Sequence, residues 1–146
     1  TIIDIAYGDN KFIFIGHDKE NNRVILSFDS DNDWSLIQNN SNPLLNSIYW
    51  SNEYEKFIAV GNNGTIISSD NGNNWIENNS ELIDYNINLN KVISFTYDNK
   101  PLLLLGGESE FNNHLYYTNH ESDFTELQEI NGILNFQSIL GISNRY

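Results

Sequence analysis

Internal repetition constrains this chain more than any other feature. The block Lys11-Phe12-Ile13-Phe14-Ile15-Gly16 recurs as Lys56-Phe57-Ile58-Ala59-Val60-Gly61. It recurs again as Pro101-Leu102-Leu103-Leu104-Leu105-Gly106, each step being 45 residues. Upstream of each block lies another apolar segment (Ile2 to Tyr7, Ser47 to Trp50, Val92 to Tyr97), with Ile3, Ile48 and Ile93 on the same step. Downstream come a third segment and a polar turn closed by an aromatic residue: Val24 to Trp34, Thr65 to Trp75, His114 to Phe124. These closures step by 41 and then 49 residues, because the connection between the second and third segments is shorter in the middle unit. A period of this size means modules that bury their apolar faces only by stacking on one another.

Each unit reads as four short strands. Alternation is visible in Ile3-Asp4-Ile5-Ala6-Tyr7, and the second segments are continuously apolar, which suits strands buried on both faces. Asn, Asp and Gly punctuate the joints. The best helical window, Glu81 to Leu89, has no capped period and reads rather as a loop or short turn. Four-stranded units of this length predict an all-β fold built of β-propeller-type blades of four antiparallel strands. The expected boundaries within one repeat domain, 1–146, are about 1–42, 46–85 and 91–132, with the first strand of a fourth unit at about 136–146. Three blades and one strand do not close a ring, because propellers use about four to eight. The chain is therefore expected to be a piece of a longer propeller, or to be completed by copies of itself or a partner, or to stack as an open array. The absence of methionine, even at position 1, fits a lost start or an excised segment.

The turn between the third and fourth strands resembles the Asp-box, or BNR repeat, with the pattern Ser-x-Asp-x-Gly-x-x-Trp. Unit two fits fully through Ser68, Asp70, Gly72 and Trp75. Unit one has Ser27, Asp29 and Trp34, with Asp31 in place of the glycine; unit three keeps only Asn119 and Phe124 in the Asp and Trp places. An Asp side chain can accept N–H bonds of its own turn, Gly supplies positive φ, and the Trp is expected to bury its ring between neighbouring sheets. The resemblance implies a fold-stabilising role for these residues, at the periphery and away from a central binding face.

Families with this motif include sialidases and other glycosidases, which the resemblance implies would need an arginine cluster, a Tyr nucleophile and a supporting carboxylate. This chain has only Arg23 and Arg145, so a sialidase site is not expected within it. No other catalytic set stands out, and the reading leans away from an enzyme. Two rivals stay open: a fragment of a sialidase-like glycoside hydrolase whose catalytic residues lie elsewhere, and an assembly-factor scaffold like the photosystem-assembly propellers; the resemblance extends to sortilin-like repeats as well. The stretch Asp29-Ser30-Asp31-Asn32-Asp33 begins like a calcium loop but holds Trp34 where an EF-hand needs Gly and Asn40 where it needs Glu. His17, His114 and His120 lack zinc spacing, and Gly61-Asn62-Asn63-Gly64 and Gly106-Gly107 lack a phosphate-loop continuation. No metal and no cofactor are expected.

Seven basic against twenty acidic residues give a net charge of -13. Phosphate-led nucleic-acid binding and attachment to an anionic membrane are disfavoured. The longest strongly apolar stretch, Leu102 to Leu105, is far too short for membrane insertion. Without cysteine there is no disulfide, thiol nucleophile or thiolate metal site. Twenty-six asparagines would suggest low complexity, but apolar blocks recur throughout and argue for a folded domain. The functional expectation is a non-catalytic binding or structural module whose loops recognise a protein or a glycan. Tyr54, Tyr85 and Phe111 are the loop aromatics available for this. Self-association or a larger assembly would complete the propeller. The expected setting is extracellular, at a cell surface or in a virion.

Overall fold

The computed structural model describes residues 1–78, 83–110, 112–118 and 125–127. The chain is all-β there, with three separate four-stranded antiparallel sheets and no helix among the described residues. The first sheet is β1 (Ile2–Gly8), β2 (Lys11–His17), β3 (Arg23–Asp29) and β4 (Trp34–Asn40). The second is β5 (Leu45–Ser51), β6 (Lys56–Gly61), β7 (Ile66–Ser69) and β8 (Ile76–Glu77). The third is β9 (Asn88–Tyr97), β10 (Lys100–Glu108), β11 (Asn113–Thr118) and β12 (Thr125–Leu127). Within each sheet every strand lies beside its successor in the chain, and no sheet closes on itself. The Asn and Asp turns explain this connectivity. Asp9-Asn10 and Asp98-Asn99 each place two successive residues at positive φ (45° and 58°, then 49° and 58°). That backbone matches the right-handed twist of a two-residue hairpin. Residues 83–87 form bends and turns before β9.

The three sheets share one register device. In each, the first strand carries one extra residue opposite the end of the second: Ile3, Asn46 and Asn90 are skipped by the ladders. The partner glycine at that place is Gly16, Gly61 and Gly107. A β-carbon on any of them would strike the carbonyl oxygen of Thr1, Leu44 or Asn88, respectively. This corrects the sequence alignment of the third unit. Gly107, not Gly106, matches Gly61, so β10 is displaced by one residue from the 45-residue step. Leu103 and Leu105 then take the places of Phe57 and Ala59, and Val92 that of Ile48. A one-residue slip exchanges the two faces of a strand. Four consecutive leucines contain no alternation from which to read the face.

With this register, equivalent faces stack. Ile13, Ile15 and Ile25 of the first sheet pack against Ile48, Phe57 and Ile67 of the second. Ile58, Val60 and Ile66 on the second sheet's opposite face pack against Val92, Leu105 and Tyr116 of the third. Ile83 and Ile87 close that second core from the linker. The first strands of the sheets run side by side at these junctions. Equivalent positions meet there: Asp4 Oδ2 accepts a hydrogen bond from Ser47 Oγ at 3.1 Å and stands 3.8 Å from Lys91 Nζ. Likewise Asn46 Nδ2 stands 3.5 Å from Oδ1 of its counterpart Asn90, and it donates to Leu89 O at 3.0 Å. The strand expected over 136–146, together with Asn119, Phe124 and Phe111, lies outside the described residues.

Candidate functional site

The two described aromatic-closed turns are built differently. In the second, Gly72 (φ 74°) presses on the first sheet, where a β-carbon would lie 2.5 Å from Ile13 Cδ1. Lys11 Nζ donates to the Asn71 carbonyl at 2.7 Å, fixing the turn to the same sheet. The side chain that gathers the turn's N–H groups is Asn71, whose Oδ1 accepts from Asn73 and Asn74 at 2.9 and 3.0 Å. Ser69 Oγ accepts from Gly72 N at 2.8 Å. Asp70 points outward, 3.8 Å from Lys56 Nζ. Ser68 is buried and its Oγ accepts from Asn78 Nδ2 at 2.7 Å. Trp75 packs on the core between sheets one and two, and its indole N–H donates to Gly72 O at 3.0 Å.

In the first turn Asp29 Oδ1 accepts from the N–H groups of Asp31 and Asp33 at 3.0 and 3.2 Å. Ser27 is buried. Trp34 departs from the expectation that it buries its ring between sheets. It is 60% exposed and leans on Phe14 and Phe28 of its own sheet, with ring centroids 5.0 and 4.8 Å away. The reason is positional: this turn lies on the face of sheet one turned away from sheet two.

Beside the second turn lies an open cleft of about 570 Å³ lined by Asp9, Trp50, Tyr54, Glu55, Lys56 and Asp70. Local structure places each group. The Asp9-Asn10 hairpin sets one carboxylate, and the β5–β6 loop sets Tyr54 and Glu55. That loop is held by Ser51 Oγ, which accepts from Tyr54 N at 3.1 Å and donates to Glu53 Oε2 at 3.1 Å. Ser94 Oγ donates to the same carboxylate oxygen at 2.6 Å, tying the loop to sheet three. Trp50 rests on Gly8 and meets Phe57 edge-on at 4.6 Å, while its N–H donates to Asn52 Oδ1 at 3.0 Å. Three carboxylates face one ammonium, so the rim is negative. The cleft therefore joins Asp70 of the sequence motif and loop Tyr54 to Trp50, which sequence reasoning missed. The signal was available: an aromatic ends the first segment of both unit one and unit two, at Tyr7 and Trp50. Tyr85 stands elsewhere, 73% exposed in the β8–β9 linker.

The guanidinium of Arg23 is 2% exposed and lies 3.4 Å from Pro43 O. Burial lowers its pKa, opposed by the charge of Glu77. It offers no cation to the surface, and Arg145 lies outside the described residues. Among the described residues no three acidic or histidine side chains are grouped to hold a metal ion, and no helix is long and apolar enough to cross a membrane. The chain matches no protein-family model and resembles no curated protein in sequence.

Proposed function

We propose that the three sheets are successive blades of a propeller-type array with Asp-box-like turns, and that the chain is a non-catalytic module recognising a glycan or a protein through its loops. The convergence of the equivalent positions Asp4, Ser47 and Lys91 supports the blade reading, since neighbouring blades bring like positions together around a common centre. The cleft carries the binding reading. Trp50 and Tyr54 offer aromatic surface, and Asp9, Glu55 and Asp70 offer acceptors, at one concavity. Such a set stacks on the apolar face of a sugar ring and accepts from its hydroxyls. Its negative rim favours neutral or basic glycans over sialylated ones. A glycan array with the chain of 146 residues tests this. Binding to neutral or amino sugars that falls about tenfold or more in Trp50→Ala and Tyr54→Ala is the expected result. Absence of binding to every glycan class removes the sugar version, and capture of a protein lost in the same variants would assign the cleft to a protein segment.

A further inference from the structure

The face of sheet one turned away from sheet two is apolar and open. Ile5, Tyr7, Phe12, Trp34 and Leu36 are 49, 56, 42, 60 and 61% exposed, and the rings of Tyr7 and Phe12 touch with centroids 4.7 Å apart. A continuous apolar face of this kind is a mark of an interaction surface. The repeat says what chemistry covers it. Its counterparts in sheet two, Ile48, Trp50, Phe57 and Ala59, lie under the opposite face of sheet one. Those in sheet three, Val92, Leu103 and Leu105, lie under the opposite face of sheet two. The matching surface is thus the opposite face of another such sheet.

We propose that this face receives a second copy of the chain, head to tail, through the opposite face of that copy's third sheet. The third sheet carries Leu102, Leu104, Leu115 and Tyr117 there, all half-buried. Charge selects the same pairing. At the junction of sheets one and two, Lys11, on the opposite face of β2, reaches the Asn71 carbonyl of the next turn. In sheet three the ladder place of Lys11 is taken by Leu102, and exposed Lys100 follows on the same face, one pleat nearer the hairpin. The turn it would meet in the second copy is Asp29 to Asp33, with carboxylates at Asp29, Asp31 and Asp33 where the middle unit has Asp70, Gly72 and Asn74, three acidic side chains against one. In a chain of net charge -13, a cation aimed at this acidic turn offsets the repulsion between copies. A head-to-tail contact either closes or grows, and two copies would bring six sheets together, inside the range that closes a propeller ring. The contact rests on sheet stacking and is independent of what occupies the Trp50 cleft.

Sedimentation equilibrium of the chain across micromolar to millimolar concentration tests the pairing. The expected result is a reversible rise to twice the chain mass. Phe12→Asp with Leu36→Asp should weaken it by about tenfold or more, with β circular dichroism retained. Lys100→Glu, a surface change that spares the fold, should weaken it as well, and Asp31→Lys added to Lys100→Glu should restore part of the loss. A single-chain mass over the whole range overturns the proposal. So does association that Phe12→Asp with Leu36→Asp and Lys100→Glu both leave unchanged.

Discussion

The indole of Trp50 lies against the backbone of Gly8, so close that a β-carbon on Gly8 would overlap the junction of its two rings. The strand end of one sheet is thereby the floor on which the next sheet's aromatic rests. Gly8→Ala should push Trp50 out of place and cost about 1–3 kcal/mol, the usual range for overpacking. Chemical denaturation measures the loss, and a changed tryptophan emission in the folded state would locate it at Trp50.

Gly72 meets two demands at once: positive φ and contact with Ile13 Cδ1. Gly72→Ala should destabilise by about 1–3 kcal/mol. Ile13→Val removes the methyl at the point of collision, so the double variant should lose less than the sum of the single losses. A double-mutant cycle reads this coupling directly.

Asp4 Oδ2 accepts from Ser47 Oγ and from Ile48 N, at 3.1 and 3.0 Å, beside Lys91. Asp4→Ala leaves a part-buried N–H and hydroxyl without this acceptor and should cost about 1–3 kcal/mol. Asp4→Asn keeps an acceptor oxygen but loses the charge, so it should retain part of the stability and abolish the coupling to Lys91→Met. Urea unfolding of the four proteins of that cycle gives the answer.

The loop between β2 and β3 should loosen in acid. Asp18 accepts from Asn22 Nδ2, Asn22 N and Glu20 N, all at 2.9 Å. These bonds, that from the Asn22 side chain foremost, hold its pKa below the ordinary 3.8. A lowered folded pKa means the ionised form stabilises the loop above 3.8, and this contribution fades as pH falls through the folded value. Amide shifts of Glu20 and Asn22 should therefore move at a pH below 3.8. Asp18→Asn should show perturbed shifts at neutral pH and no such acid step.

Much of the architecture was legible because turn chemistry and apolar blocks repeat together. Asp9-Asn10 and the continuous runs after them specify hairpins whatever their neighbours do. The face of β10 was not legible, since Leu102 to Leu105 bury equally well either way up. There the glycine that must clear a carbonyl oxygen, Gly107, decides the register. In the turns, the Ser-x-Asp-x-Gly-x-x-Trp pattern marked the right hairpin, but Asn71 and Ser69 hold it where Asp70 was expected to. Several adjacent side chains in that stretch can accept the same N–H groups, so composition alone does not select among them. The cleft was hidden for a further reason: it joins the β1–β2 tip to loops more than forty residues away.

The extra residues at the sheet tips follow a rule of parity. Two residues separate the ladder pair Gly8 and Lys11, four separate Ser51 and Lys56, and six separate Phe95 and Leu102. Each increment is even, so every tip lengthens without turning the buried side chains outward. The fringe of hairpins around Trp50 is thus the place where this scaffold tolerates growth. Inserts of paired length grafted there would extend the cleft wall while leaving the stacked sheets beneath it undisturbed.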